Sequence, residues 1–311
     1  MSIIIASPDS LRAQVEAATG GKVTVLYDDK GFPSYMHVIP KFRYEDLGFD
    51  TEMGTGVASA FVKGNTELSE IFIGQYQASV FDGRAVALPG RDPRASINYD
   101  DAKASCESKG AGWHLMSMHE WAAVALWCKA NGVEPRGNTD YGRAHDATHE
   151  VARRQDAGTP GVTEGAARTL TGSGPASWRH DGTLGGIADL VGNVWEWQHL
   201  MKMVDGRVFA SPDNDYTRPE AEWQDTGIDL DAGGDFSTNT VVGNELTNRL
   251  LITQAGVTLQ GRISTSLEGE RFPFRGGNAD DTGNAGLGAL YLGNPRSYTA
   301  TTIGFRPAFA L

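Results

Sequence analysis

Residues Gly185–Trp197, GGIADLVGNVWEW, restrict the fold more than any other stretch of the chain. Gly192-Asn193 is a turn dipeptide, because both residue types tolerate the left-handed backbone region that tight reversals need. Trp195 and Trp197 follow at alternate positions around Glu196, the spacing of a strand with one buried face. Two indoles so close require a core, and each buried indole N–H requires an acceptor. A chain of 311 residues is long enough to build that core. With 40% hydrophobic and 21% charged residues it has the composition of a soluble globular protein. Its 39 glycines exceed the roughly 7% of an average chain. With abundant Asn, Asp, Ser and Thr, they predict much turn and loop backbone.

The pattern of elements is α+β. ASPDSLRAQVEAATGG reads as a short amphipathic helix with Ser7 as cap, Pro8 at its first position and Gly20-Gly21 as its stop. Leu11, Val15 and Ala18 share one face, which must pack on its own domain or on another subunit. Residues 1–21 are taken as a helical arm and 22–311 as one domain. KVTVLYDD and SYMHVIPKF alternate like strands about a turn at Asp28–Pro33, and SEIFIGQYQASVFDGRAVALPG adds a strand pair with Asp82-Gly83 as hairpin turn. Two helices follow, one starting near Asn98 and stopping at Gly110, the other opened by Ser117 and Glu120 at capping-box spacing. The second carries Trp121, Val124, Ala125 and Cys128 on one face. Beyond Gly132 the chain is loop-rich, with short strand-like pieces in GRVFA, RLLITQAGVTL and IGFRPAFAL.

Formal charge is −12, and Arg153-Arg154 is the sole basic cluster, so nucleic acid is not expected as a partner. No apolar run reaches the roughly 18–20 residues of a membrane span, and the N-terminus lacks the pattern of a signal peptide. Cys106 and Cys128 read either as two buried thiols or as one disulfide.

The GGIADLVGNVWEW stretch resembles the signature of the formylglycine-generating-enzyme (sulfatase-modifying-factor) family, a subtype of the C-type lectin fold. INYDDAKASCESKGAGWHLMSMHEWAAVA, FRGGN and IGFRPA are similar to further words of that family in the same order. The resemblance spans roughly residues 36–311 and implies a loop-rich lectin-like α+β domain. The family's oxidase works through a cysteine pair between its RGG and GFR words. Here no cysteine lies between Gly276 and Phe305, and Gly, Thr or Tyr cannot replace a thiolate nucleophile. The expectation is a protein that is not an enzyme.

The tail, RGGNADDTGNAGLGALYLGNPRSYTATTIGFRPA, also resembles the variable proteins of diversity-generating retroelements. In that group, mutagenesis of adenines, mostly in AAC codons, exchanges chosen positions inside a constant frame. The resemblance implies that Ala279, Asp280, Asp281, Thr282, Gly283, Tyr291, Gly293, Tyr298, Ala300 and Thr302 are such fillers, within a variable region of about 275–306. The usual aromatic after RGG is replaced here by Asn278-Ala279. The frame would comprise Trp195, Trp197, Arg275, Gly276, Gly277, Arg296, Gly304, Phe305 and Arg306. Gly276, Gly277 and Gly304 would adopt unusual backbone angles, Leu287, Leu290 and Leu292 would enter the core, and the arginines would satisfy carbonyls or carboxylates. Fillers chosen without regard to propensity must face solvent, where they form a binding surface. Tyr291 and Tyr298 are its natural anchors, and Asp280-Asp281 favours a basic or hydrogen-bond-donating partner.

The implied function is recognition of a protein or cell-surface receptor, with the N-terminal words similar to versions carried by phages and prophages. The chain is then made in the cytoplasm and displayed on a phage particle or a host cell. A homo-oligomer is compatible with the sequence. Two alternatives stay open: an oxidase or iron enzyme of the same superfamily, and a structural virion protein without variable binding. No cofactor is required. Asp213/Asp215 and Asp229/Asp231/Asp235 are spaced like calcium oxygens without matching an EF-hand loop, so a structural Ca²⁺ with unassigned ligands is left open. His145 and His149 would share a helical face as metal ligands do. TGSG at Thr171–Gly174 reads as an anion cradle, Ser173 lacks a nucleophile elbow, and His114 and His119 read as structural.

Overall fold

Gly192 and Asn193 both take positive φ, 74° and 66°, and the chain reverses into the strand Trp195–Trp197. The computed structural model describes residues 9–311 apart from 232, 239, 254 and 255. The Trp195–Trp197 strand lies in a six-stranded mixed sheet. Its order is Gly234–Asp235, Arg262–Thr265, Gly286–Leu292, Phe274–Gly276, Trp195–Trp197 and Ile303–Phe305. Both faces of this sheet are covered, which corrects the one-sided expectation for the WEW strand. On one side Ile263, Leu290 and Leu292 pack with Trp121 and Val124 of the helix Met118–Ala130. On the other, Trp195, Trp197, Phe272, Phe274 and Phe305 pack with Tyr99 and Cys106 of the helix Tyr99–Glu107. Glu196, between the two tryptophans, is buried as well.

A second, antiparallel sheet runs Val23–Tyr27, Pro33–Pro40, Glu70–Gly74, Pro307–Phe309, Trp113–Leu115. The C-terminal segment therefore belongs to both sheets. Ile303–Phe305 edges the first, and Pro307–Phe309 enters the second between Glu70–Gly74 and Trp113–Leu115. Arg306, at the junction, is fully buried and bonds Glu196 at 2.6 and 2.9 Å and the carbonyls of Gly74 and Ala188. A four-stranded sheet, Gln224–Asp229, Arg207–Ala210, Met201–Val204 and Glu270–Arg271, closes the remaining side.

The helix ends fall where local chemistry places them. Asn98 accepts from Asp101 N–H, and Ser117 with Glu120 completes a reciprocal box that satisfies two otherwise orphaned N–H groups. Asp82-Gly83 closes the hairpin Ser79–Phe81/Arg84–Val86, both residues at positive φ. At the N-terminus, Ser7 and Pro8 lie outside the described residues. The observed cap is Asp9, whose Oδ1 accepts from Arg12 N–H at 3.0 Å. The helix Ser10–Thr19 packs Leu11 and Val15 on Val23, Val25 and Tyr35 of its own domain instead of projecting as an arm. RLLITQAGVTL forms no strand in its described part. A short helix ends at Arg249, and Leu250, Leu251 and Ile252 turn into the core. Both cysteines are free and buried. Among the described residues no helix is long and apolar enough to cross a membrane.

Buried histidines limit acid stability. His119 lies between Ser59 Oγ and Ser211 O, His199 between Tyr99 Oη and Tyr216 O, and His180 Nδ1 accepts from Ile187 N–H. Burial penalises the imidazolium and holds His119 at about 4 and His180 and His199 at about 3, against an ordinary 6.5. Between those values the unfolded chain binds more protons than the folded one, so stability falls as pH drops through 6.5 toward 4. Urea midpoints measured from pH 7 to 4.5 should decline steadily; a flat profile would mean that these rings are protonated in the fold.

Candidate binding surface

The uncovered end of the tryptophan-bearing sheet face is a cavity of about 300 Å³. Its floor is made by Trp195, Phe274, Tyr291 and Ile303, side chains of neighbouring strands that point to one face. Tyr291 stacks on Phe274 at 5.2 Å and 7°. Asn278, Asp281 and Asn284 rise on one side and Asn294, Tyr298 and Thr302 on the other, with Arg262 and Ser264 completing the rim. The structure thus brings together four of the ten filler positions, Asp281, Tyr291, Tyr298 and Thr302, around one concavity.

The other fillers sit as follows. Asp280, Thr282 and Gly283 are exposed on the adjoining loop, while Gly293 and Ala300 are half-buried. Ala279 departs from the solvent-facing expectation: it is 2% exposed and its carbonyl accepts from Tyr141 N–H at 2.7 Å. Gly293 lies under the Tyr291 ring, where an added Cβ would come within 2.5–2.7 Å of ring atoms and the hydroxyl.

Both rim loops are held by groups other than the filler side chains. In the first, Thr282 N–H donates to Thr139 O at 3.0 Å, and Asn278 Oδ1 accepts from Asp280 N–H at 2.8 Å. In the second, Ser96 N–H donates to Ala300 O, Trp195 N–H to Thr302 O, and Tyr99 N–H to Arg296 O, all at 2.8–3.0 Å. Arg168 bonds Thr301 O, and Arg296 forks onto Asp100 and Glu220. Asp281 and Asp280 are exceptions among the fillers: Asp281 Oδ2 accepts from Asn278 N–H at 2.7 Å, and Asp280 Oδ2 accepts from Tyr141 Oη at 3.5 Å. Burial raises the Asp281 carboxyl above its ordinary range, that N–H opposes the rise, Asp280 adds to it, and the Trp195 indole N–H opposes it.

The positions expected to form the frame lie as follows. Arg275 is fully buried and donates to the carbonyls of Leu250, Leu251 and Gly288. Trp197 Nε1 donates to Ile97 O. Gly276 and Gly277 take φ of 95° and 90°, but Gly304 does not adopt positive φ. It is required instead by close approach, since a Cβ there would meet Arg94 O at 2.8 Å. Sequence reasoning missed Thr139 and Tyr141, which lie far along the chain and carry no local signal of their role. It also missed Asn193 as a hub, whose side chain bonds Gln77, Thr169 and Asn138 in the core.

Other candidate chemistry is not assembled. His145 and His149 lie in a loop, not on a helix, and among the described residues no group of three or more His, Cys, Asp or Glu side chains could hold a metal ion. Asp213 is bonded to Arg218, and Asp229 to Arg207. The TGSG loop gives its Gly172 N–H to Asp189 of the same chain at 2.7 Å.

No protein-family model matches the chain, and no curated protein matches it. Solved structures similar to it include PvdO from Pseudomonas aeruginosa, with 15% identity, 93% of this chain and 98% of that one covered, and a TM-score of 0.40. Treponema denticola variable protein 1 is similar at 13% identity over 92% of this chain and 98% of that one, with a TM-score of 0.39. The Major Tropism Determinant U1 variant is similar at 12% identity over 92% and 71%, with a TM-score of 0.35.

Proposed function

We propose that this chain is a non-enzymatic binding protein that recognises a protein or cell-surface partner through the cavity and the two loops around it, with the exposed filler side chains exchanged by a retroelement. One observation carries the reading: apart from the Asp280 and Asp281 carboxylates, the loop backbones are fixed by carbonyls, N–H groups and the Arg168 and Arg296 guanidinium groups, so the other filler side chains can change while the loop path stays. A rigid frame with interchangeable contacts spends little ordering entropy on each new partner, as preorganised paratopes do. A standard interface takes about 800 Å² per partner and roughly ten side chains supply about half of that. The exposed Asp146, Thr148 and His149 of the 139–149 segment beside the Thr139 anchor are placed to add area. On this reading no metal or cofactor takes part in recognition, and display is on a phage particle or a host cell.

A display library randomised at Asp280, Thr282, Gly283, Tyr298 and Thr302 tests this. Binders selected against an unrelated protein should keep melting temperatures within about 2 °C of the parent. Tyr298→Ala alone should cost at most about 0.5 kcal/mol in urea unfolding. Widespread unfolding in the library would show that these residues are structural and would remove the basis of the proposal. In the gene's neighbourhood, a near-copy of the tail's coding DNA differing mainly at adenines is expected beside a reverse transcriptase.

A further inference from the structure

The cavity's lining has a chemistry of its own. Trp195, Phe274 and Tyr291 make it aromatic, and Tyr298 stands 40% exposed at its mouth. Trp195 and Tyr291 lie 5.9 Å apart at 56°, inclined to each other and not stacked. Asp281 shares the wall, half-buried. Its carboxylate receives the Asn278 N–H, has the Trp195 indole N–H beside it, and feels the negative charge of Asp280. Among the described residues no Lys, Arg or His makes a hydrogen bond or ion pair with Asp281; Arg262, although on the lining, forms neither with it. Aromatic rings attract a cation through their quadrupole, the more so when it is desolvated. A half-buried carboxylate in the same wall, without a cation of its own, supplies the missing half of an ion pair.

We propose that this cavity binds an ammonium group, with Trp195, Tyr291 and Tyr298 as aromatic walls and Asp281 as counter-charge. This deepens the recognition reading and rests on it for the location of the site. The group comes either from a lysine side chain on a protein partner or from the quaternary headgroup of a small molecule. Gly293 keeps the wall in place, because any side chain there would run into the Tyr291 ring and turn it off Phe274.

The test is an NMR titration of the whole chain, following the Trp195 indole N–H, assigned with a Trp195→Phe variant. The probes are choline, N-acetyl-lysine methylamide and the neutral isostere 3,3-dimethylbutan-1-ol. Either cation should shift the signal and the neutral alcohol should not; which cation binds more tightly identifies the source. Asp281→Asn keeps an acceptor for the Asn278 N–H and should weaken binding about tenfold or more. Gly293→Ala should weaken it by displacing Tyr291 while the chain stays folded. Equal shifts from the neutral alcohol, unchanged affinity in Asp281→Asn, or no shift with either cation would overturn the ammonium site. Those results would leave the library experiment untouched, so the two readings fail separately.

Discussion

Arg306→Met is expected to lower the stability of the fold by roughly 3–5 kcal/mol, because it leaves a buried carboxylate without its cation. Glu196 is 1% exposed, and its oxygens face Arg306 Nε at 2.9 Å and Nη2 at 2.6 Å. With the guanidinium gone, the Gln77 amide at 3.0 Å is the one remaining donor to it among the described residues. The carbonyls of Gly74 and Ala188 lose their donors in the same step, each an unsatisfied buried group. Glu196→Leu combined with Arg306→Met should recover part of the loss, since replacing both charges costs less than orphaning one. Urea midpoints of the wild type, both single variants and the double variant measure this, with an unchanged m-value marking a pure stability effect. If Arg306→Met stays within 1 kcal/mol, the junction between the two sheets is held by the apolar contacts of Phe305 and Ala308. The result bears on recognition, because the ion pair fastens the end of the second rim loop.

What could be read from the sequence is what short-range chemistry decides. Asn98, Ser117 and the Gly192-Asn193 turn each satisfy backbone groups within a few residues, so their type and spacing suffice. Solvent exposure within the tail was legible for Tyr298 and Asp280, where it follows from a loop tip. The reading failed for Ala279, whose burial depends on the 139–141 segment folding over it. It also failed for Glu196, read as the outward residue of a strand and found paired with an arginine 110 positions away. The Leu250–Ile252 run was read as a strand because apolar residues alone do not separate a strand from a buried turn. Long-range partners settled each of these, and no local pattern encodes them. The cavity itself belongs to this class, since Ser264, Tyr291, Phe274 and Trp195 become neighbours only through sheet order.

Three glycines of one tail should respond to alanine in three different ways, and the ranking tests the frame-and-filler distinction more directly than any binding assay. Gly276 has φ +95°, and a Cβ there would meet Leu190 O at 2.5 Å. The carbonyl cannot retreat without moving the turn at Gly192, whose N–H donates to Gly276 O at 3.1 Å. Left-handed strain of about 1–2 kcal/mol and overpacking of about 1–3 kcal/mol put Gly276→Ala at roughly 2–5 kcal/mol. Gly293 is not at positive φ, and the obstacle is the far end of the Tyr291 side chain, which can swing away. Its cost is the Tyr291–Phe274 stack, about 0.5–1.5 kcal/mol, and it should vanish when Tyr291→Ala is already present. Gly283 has ordinary φ, with His145 Nε2 at 3.6 Å as its nearest obstacle. Alanine there restricts the unfolded chain without clashing, so the change should be neutral or stabilising by up to about 1 kcal/mol. Urea midpoints for the three variants and the Gly293→Ala/Tyr291→Ala pair decide the matter. If Gly283→Ala costs as much as Gly276→Ala, the first rim loop is held by its own side chains and cannot serve as an exchangeable surface. If the order holds, diversification that spares Gly276 and alters Gly283 follows the physical tolerance of the fold, and Gly293 marks the position where a change in one filler alters what its neighbour can present.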